Sequence, residues 1–132
     1  MKVLFVCSGN ACRSPAAEAF LKKFNSAIDV DSAGSHAYYK IIAITSDYLK
    51  KHNADRYLKR VPQDLSSKQL NEYDLIVAME PNHRDQILAK CPECADKIIV
   101  WSIKDPYNLP IESVERIFDQ IRHKTKDLAE SL

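Results

Sequence analysis

The sequence predicts a single α/β domain: a four-stranded parallel sheet with helices on both faces and a C-x5-R phosphate-binding loop between the first strand and the first helix. Three observations carry that expectation. The 132 residues suit one domain with one packed interior rather than two. Short continuous apolar runs, the pattern of strands buried on both faces, alternate with stretches of helical period. The composition, 45% hydrophobic and 28% charged, is that of an ordinary globular chain and excludes disordered, collagen-like and low-complexity classes.

Lys2–Cys7 is a continuous apolar run that stops at Ser8-Gly9-Asn10, as a central strand entering a loop does. From Ser14-Pro15 the period changes. Ala16, Ala17, Phe20, Leu21 and Phe24 recur at intervals of three and four with Lys22 and Lys23 on the other side, an amphipathic helix for which Ser14 is the expected N-cap and Pro15 the first helical residue. Ala27–Ser32 reads as a short strand before Ala33-Gly34, and Asp74–Met79 and Lys97–Trp101 as two more buried strands. Helical spacing marks Thr45–Lys51, Ser66–Asn71, Pro81–Lys90 and Ile111–Ser131, the last through Val114, Ile117, Phe118, Ile121 and Leu128. Between Ser35 and Asp64 no period decides among strand, helix and loop. Strands alternating with helices imply right-handed crossovers and hence a parallel sheet. No repeat or linker divides the chain, so residues 1–132 are expected to form one domain.

Charge and glycine content exclude several functions. Nineteen basic against eighteen acidic side chains give a formal charge of +1, so no global basic field draws the chain to nucleic acid or to an anionic membrane, and any anion site must be local. The run Val3–Val6 is too short for a membrane span or a signal-peptide core, and no later stretch approaches twenty uncharged apolar residues. The expected location is therefore cytoplasmic, where four cysteines are expected to serve chemistry or metal binding rather than structural disulfides. Only two glycines, Gly9 and Gly34, occur, which rules out the glycine-rich dinucleotide fingerprint and the G-x-x-x-x-G-K-[ST] loop.

The stretch Cys7-Ser8-Gly9-Asn10-Ala11-Cys12-Arg13-Ser14-Pro15 carries the chemistry. It lies at the C-terminal edge of the expected parallel sheet, where ligands bind in such folds. A loop curling into a helix N-terminus turns backbone N–H groups inward and makes a concave anion site. Gly9 and Asn10 tolerate the left-handed backbone that such a curl requires. The same field favours thiolate over thiol at Cys7 and arms it as a nucleophile. Arg13 can return across the loop and offer two parallel hydrogen bonds to a tetrahedral oxyanion. Ser14 is within reach to donate to the thiolate. A lone C-x5-R spacing is more often a buried cysteine and a solvated arginine; the strand before, the glycine and asparagine within, and the Ser-Pro helix start after it reverse that judgement.

The segment Val6–Pro15 resembles the signature loop of the low-molecular-weight protein tyrosine phosphatase family, which also includes protein-arginine phosphatases and a thioredoxin-coupled arsenate reductase branch. Asp31–Gly34 resembles that family's second strand and turn, Tyr73–Glu80 its third strand, Asn82–Asp85 the following helix and Asp105-Pro106-Tyr107 its general-acid loop, so the resemblance spans nearly the whole chain. Without the family, Asp105 is placed just past the last strand and hence at the same sheet edge as Cys7, although Asp-Pro also commonly starts a turn. The resemblance implies that Cys7, Arg13 and Asp105 are catalytic and that no cofactor or metal takes part. It implies a phosphorylated protein substrate, phosphotyrosine before phosphoarginine, with phosphate or a similar oxyanion in the site. Asp105 would protonate the leaving group and then activate water.

The substrate-binding residues expected on the same grounds are Ser8, Gly9, Asn10, Ala11, Cys12 and Ser14, with Tyr38, Tyr39 and Tyr107 as aromatic walls around a flat phosphorylated side chain. The resemblance also implies a reversible Cys7–Cys12 disulfide that protects the nucleophile. Cys91-Pro-Glu-Cys94 reads as a redox pair, a zinc half-site or two unrelated thiols, and it follows a helix rather than opening one. Alternative readings are a protein-arginine phosphatase, an arsenate reductase, which would pass oxidation to Cys12, Cys91 or Cys94, and last a non-catalytic phosphate-binding module, which would keep Arg13 but be indifferent to Asp105→Asn. A four-cysteine zinc site would consume the phosphate loop. The histidines are scattered without metal-ligand spacing, and Trp101 reads as core. The sequence departs from the family in four places. Tyr38–Ile44 replaces a glycine- and proline-rich loop, and Arg60 stands where many relatives have a histidine behind the loop asparagine. Asn108 replaces a second aromatic, and Ala11 matches neither the bulky residue of tyrosine phosphatases nor the threonine of arginine phosphatases.

Overall fold

The computed structural model describes residues 1–132. Four strands, β1 (Lys2–Cys7), β2 (Asp29–Gly34), β3 (Leu75–Ala78) and β4 (Ile98–Val100), form one sheet in the order β2-β1-β3-β4. Every pairing is parallel. Four helices connect and flank them: α1 (Arg13–Phe24), α2 (Ala43–Lys51), α3 (Pro81–Lys90) and α4 (Ile111–Ser131). The expected fold class is the one observed, and no helix is long and apolar enough to cross a membrane.

The side-chain alternation of β1 divides the interior in two. Val3, Phe5 and Cys7 point into a cluster built from α1, α2 and α4, with Phe20, Leu49, Phe118 and Ile121 at its centre. Leu4 and Val6 point the other way, into a cluster with Leu65, Leu70, Ile76 and Ile87. Both faces of β1 are thus dry, which is why its sequence is continuously apolar. The α4 stripe Val114, Ile117, Phe118 and Ile121 is buried, each side chain contributing about 1.5–3 kcal/mol relative to exposure. Trp101 is only partly buried and packs on Phe5 with ring centroids 5.4 Å apart.

Register places the site. Cys7 lies opposite Gly34, Val6 opposite Ala78, and Ala78 opposite Val100, so the chain leaves all four strands at one edge. β1 connects to β2 on one side and bonds β3 on the other, making β1/β3 the point where strand order reverses and a crevice opens.

Two expectations are corrected. Ser66–Asn71 is not a helix but two separate 3-10 turns, Leu65–Ser67 and Leu70–Glu72. The Asp64 carboxylate accepts from the Ser66 backbone N–H and hydroxyl, tightening the first turn, and Lys68 is extended with its Nζ 2.5 Å from Asp31. Ser14 is not the N-cap of α1. The helix begins at Arg13 with Cys12 in the cap position, and Ser14 is buried inside it. Its hydroxyl has been recruited elsewhere.

Candidate active site

The loop from Cys7 to Arg13 is held by its carbonyls. The segment after β2 donates to them in succession: Ser35 N–H to Cys7 O at 3.0 Å, His36 to Ser8 O at 2.8 Å, Tyr38 to Gly9 O at 2.9 Å and Ile42 to Ala11 O at 3.1 Å. Thr45 adds its hydroxyl to Ala11 O at 3.0 Å. With the carbonyls turned outward, the backbone N–H groups of Ser8, Gly9, Ala11, Cys12 and Arg13 have no protein acceptor, and all five residues line one cavity of about 240 Å³. This is the anion cradle expected at a helix N-terminus. Asn10 alone takes the left-handed backbone, with φ 51°; Gly9 does not, and its missing Cβ instead admits the Tyr38 ring.

Behind the cradle lies a closed set of hydrogen bonds. Cys7 Sγ is 2.9 Å from Ser14 Oγ, and Asn10 Nδ2 donates to Ser14 Oγ at 2.8 Å and to Ser32 Oγ at 2.9 Å. Asn10 Oδ1 accepts from Lys59 Nζ and from the Gln63 backbone N–H, both at 2.8 Å. Ser14 Oγ, having accepted from Asn10, has its own proton to give, and Cys7 Sγ at 2.9 Å is a nearer acceptor than the Ala33 carbonyl at 3.5 Å. Asn10 and Ser14, expected among the residues that bind substrate, therefore sit behind the cavity and do not line it. Arg60 is exposed, and the place behind the asparagine belongs to its neighbour Lys59. Burial pulls the Lys59 ammonium below its usual range, opposed by the carboxylates of Glu18 and Asp31.

Arg13 is buried and anchored through one nitrogen. Nη1 donates to Glu80 at 2.6 Å and to the Ile103 carbonyl at 2.8 Å, which leaves Nε and Nη2 as the fork that faces the cavity. Nη2 is 3.7 Å from the Asp105 carboxylate, itself half exposed. Asp105 also accepts the Tyr107 backbone N–H at 3.0 Å, so this Asp-Pro both starts a turn and faces the cradle. Ser8 Oγ is 2.8 Å from His83 Nε2, while His83 Nδ1 accepts the Glu80 N–H at 3.1 Å. That acceptor role puts the ring proton on Nε2, aimed at Ser8. Burial, helped by Arg13, lowers His83 to about 4, so the ring is neutral at physiological pH.

The cavity walls are largely apolar: Ile42, Ile44, Leu109 and Val114, with Tyr38 on one lip and Pro106 and Tyr107 on the other. Tyr38 and Tyr107 stand where aromatic walls are expected. Tyr39 does not line this cavity and is almost fully exposed. Sequence reasoning missed Lys59, Glu80, His83 and the four aliphatic wall residues. The segments Tyr73–Glu80, Asn82–Asp85 and Tyr38–Ile44 stand out in the sequence, but nothing local assigns a role to Glu80, His83, Ile42 or Ile44 within them, and no local signal marks long-range contacts such as Lys59 with Asn10.

Against the expectation that the cysteines avoid disulfides, one joins Cys91 to Cys94, 3 positions apart just past α3, whereas Cys7 and Cys12, the pair for which a reversible disulfide is implied, carry free thiols. Burial pushes the Cys12 thiol up to about 12, so it stays protonated. Cys7 packs in the cluster on the α1 face of the sheet, with Cys12 against it; Cys91 and Cys94 belong to the opposite face. The sheet stands between the pairs, which excludes a four-cysteine metal site.

A buried thiol among uncommitted donors makes this cavity a receptor for a tetrahedral oxyanion that sulfur can attack, and a half-exposed carboxylic acid faces the guanidinium beside it. Fold and site together define a cysteine-dependent phosphatase. Residues 2–132 match the sequence profile of the low molecular weight phosphotyrosine protein phosphatases, and the chain belongs to that family. It is 30% identical to the low molecular weight protein-tyrosine-phosphatase Etp of Escherichia coli K12, the match covering 98% of this chain and 93% of the relative. It is 31% identical to a protein-arginine-phosphatase of Geobacillus stearothermophilus, covering 99% and 95%. Among solved structures it superposes on Vibrio vulnificus Wzb in complex with benzylphosphonate with a TM-score of 0.90, 29% identity and coverage of 99% and 98%.

Proposed function

We propose that this protein hydrolyses phosphomonoesters on protein side chains, phosphotyrosine foremost, through a phosphocysteine on Cys7. The observation that carries the reading is the Cys7–Ser14 contact at the floor of a cavity whose polar lining is donors, with Asp105 facing Arg13 at its lip. The Cys7 thiolate attacks phosphorus as the bond to the aryl oxygen breaks, and the Asp105 carboxyl gives that oxygen its proton. Water then loses a proton to the Asp105 carboxylate and attacks phosphorus, the S–P bond breaks, and inorganic phosphate leaves. Arg13 Nε and Nη2 and the loop amides hold the equatorial oxygens through both steps.

The preference for an aryl ester rests on the walls. Ile42, Ile44, Leu109 and Val114 suit a benzene ring between Tyr38 and Tyr107. A phosphorylated guanidinium would present several N–H donors, and Asp105, already assigned to proton transfer, is the sole carboxylate on the lining to receive them.

The test is hydrolysis of p-nitrophenyl phosphate, a phosphotyrosine peptide and a phosphoarginine peptide, in freshly reduced protein with chelator present. Cys7→Ser is expected to abolish turnover and Asp105→Asn to lower kcat by roughly 10²–10⁴-fold. Phosphoarginine turned over faster than phosphotyrosine would overturn the substrate class, and a Cys7→Ser protein with native activity would overturn the mechanism.

A further inference from the structure

We infer that Lys59 is a positioning residue for the nucleophile: it fixes which way the Asn10 amide faces, and through Asn10 it aims the Ser14 hydroxyl at Cys7. The inference rests on the reading of Cys7 as nucleophile and adds a residue that the C-x5-R loop does not contain.

Donor and acceptor parity sets the orientation of the amide. An asparagine amide has a donor end and an acceptor end of nearly the same shape, and only its partners decide its orientation. The Ser14 hydroxyl can pair with either end and decides nothing, whereas the Ser32 hydroxyl, whose proton goes to Glu18, can only accept and so takes the nitrogen end. Lys59 holds the oxygen end, because an ammonium donates and never accepts, and it is the charged donor there. Its Nζ is almost fully buried and lies 2.8 Å from Asn10 Oδ1, 2.8 Å from the Ser32 carbonyl and 3.2 Å from Ser32 Oγ. The Gln63 N–H reinforces the same end at 2.8 Å. With oxygen toward Lys59, the amide nitrogen must face Ser14; Ser14 then accepts, and its proton is left for Cys7 Sγ. Turned over, Asn10 would accept from Ser14 and take that proton away from the sulfur.

The surroundings keep the ammonium in place. The Ser32 hydroxyl, which accepts from both Asn10 and Lys59, passes its own proton to Glu18 at 2.6 Å. Glu18 and Asp31 each lie 3.9 Å from Nζ, and Lys22 and Lys68 are bonded to these same carboxylates. Those four side chains, from α1, β2 and the stretch after the first 3-10 turn, are the charged groups around Lys59. Around Cys7 they are Arg13, Asp105 and the Cys12 thiol. No member of the second set touches Lys59, so its hydrogen-bonded route to the sulfur runs through Asn10, and the Asn10→Ala background separates that route from the through-space charge of the ammonium.

The test reads the thiol directly rather than turnover. Alkylation of Cys7 by iodoacetate, followed by mass spectrometry between pH 5 and 8, is compared for the native chain, Lys59→Met, Lys59→Gln and Lys59→Arg. Met removes the donor, Gln can present an acceptor to the amide, and Arg keeps a donor-only cation. We expect Met and Gln to slow alkylation at pH 6 about tenfold and move the acid limb of the profile to higher pH, with Arg restoring the rate to within about threefold of native. In an Asn10→Ala background, Lys59→Met should add no further slowing. Native-like alkylation of Lys59→Met, or an equal further loss in the Asn10→Ala background, overturns the inference. If Lys59→Met does not fold, the Gln and Arg variants carry the comparison, and equal rates for those two overturn it as well. A native chain that alkylates at Cys7 but hydrolyses no aryl phosphate sinks the phosphatase reading while leaving this comparison intact.

Discussion

Ser14 shows how a single residue can be read correctly for its chemistry and wrongly for its place. Ser-Pro is a strong helix-start signal, yet the hydroxyl that would cap α1 lies against Cys7 instead, and the cap position falls to Cys12. The helix tolerates this because its first N–H groups face the anion cradle. A hydrogen bond to a charged sulfur is worth about 1.5–3 kcal/mol, so Ser14→Ala should lower the rate of phosphoenzyme formation roughly 10–100-fold, while Ser14→Thr, which keeps the hydroxyl, should lose less. Burst kinetics with p-nitrophenyl phosphate measure that step; an unchanged burst in Ser14→Ala would remove the serine from the mechanism. Cys7 and Arg13 were legible because their spacing is local and the loop between them is short. Lys59 was not, because it reaches Asn10 across 49 residues and stands beside Arg60, whose long basic side chain looks equivalent in sequence and turns to solvent.

At the scale of elements, the loop depends on a strand that carries no chemistry. Gly34 ends β2 opposite Cys7, and a Cβ there would lie 2.6 Å from the Ser8 carbonyl oxygen, 2.8 Å from the Asn10 nitrogen and 2.9 Å from the Gly9 carbonyl carbon. All three are backbone atoms of the cradle and cannot step aside without moving it. Gly34→Ala should therefore cost about 1–3 kcal/mol of stability and weaken binding of inorganic phosphate by at least about tenfold. Gly9→Ala is the matched control, since its Cβ would meet only the Tyr38 ring at 2.9 Å, a half-exposed side chain free to swing outward. Thermal melts and phosphate titration of the two variants check this; equal losses in both would mean that the strand does not support the loop. Most elements were legible for a related reason. The apolar period of β1, α1 and α4 is set by burial against neighbours, and burial decides their structure. Residues 66–71 carry a faint helical spacing over mainly polar side chains, and there Asp64 and Asp31 win, drawing the chain into turns.

For the molecule as a whole, the site is set where α1, the segment after β2, α3 and the loop after β4 converge. This convergence was legible, because a parallel sheet brings all its C-terminal ends to one edge. The electrostatic cost of the convergence was not. His83 accepts the Glu80 backbone N–H at Nδ1 and donates its Nε2–H to Ser8, is fully buried, and must stay neutral beside Arg13. Its value in the folded protein is lowered from 6.5 to about 4, first by burial and then by Arg13, with Glu80 and Asp105 pulling the other way. The sign follows from proton counts. Below 6.5 the unfolded chain binds a proton at His83 that the native chain refuses until about 4, so the stabilisation is complete above 6.5 and is lost as pH falls through that window. At pH 4.5 the loss is roughly 2–3 kcal/mol relative to neutral pH. His52, also lowered by burial, adds a smaller decline in the same direction. The carboxylates of Asp31, Asp64 and Asp119 are lowered from 3.8, so their contributions disappear only at still lower pH. Urea unfolding at pH 4.5 and 7.5 separates these groups. The native chain should lose roughly 2–3 kcal/mol between the two, and His83→Gln, which has no proton to take up, should lose markedly less while keeping the steep decline below pH 4. Equal slopes for the two proteins between pH 7.5 and 4.5 would mean that His83 is protonated in the folded state, and with it that the donor to Ser8 belongs to a cation rather than to a neutral ring.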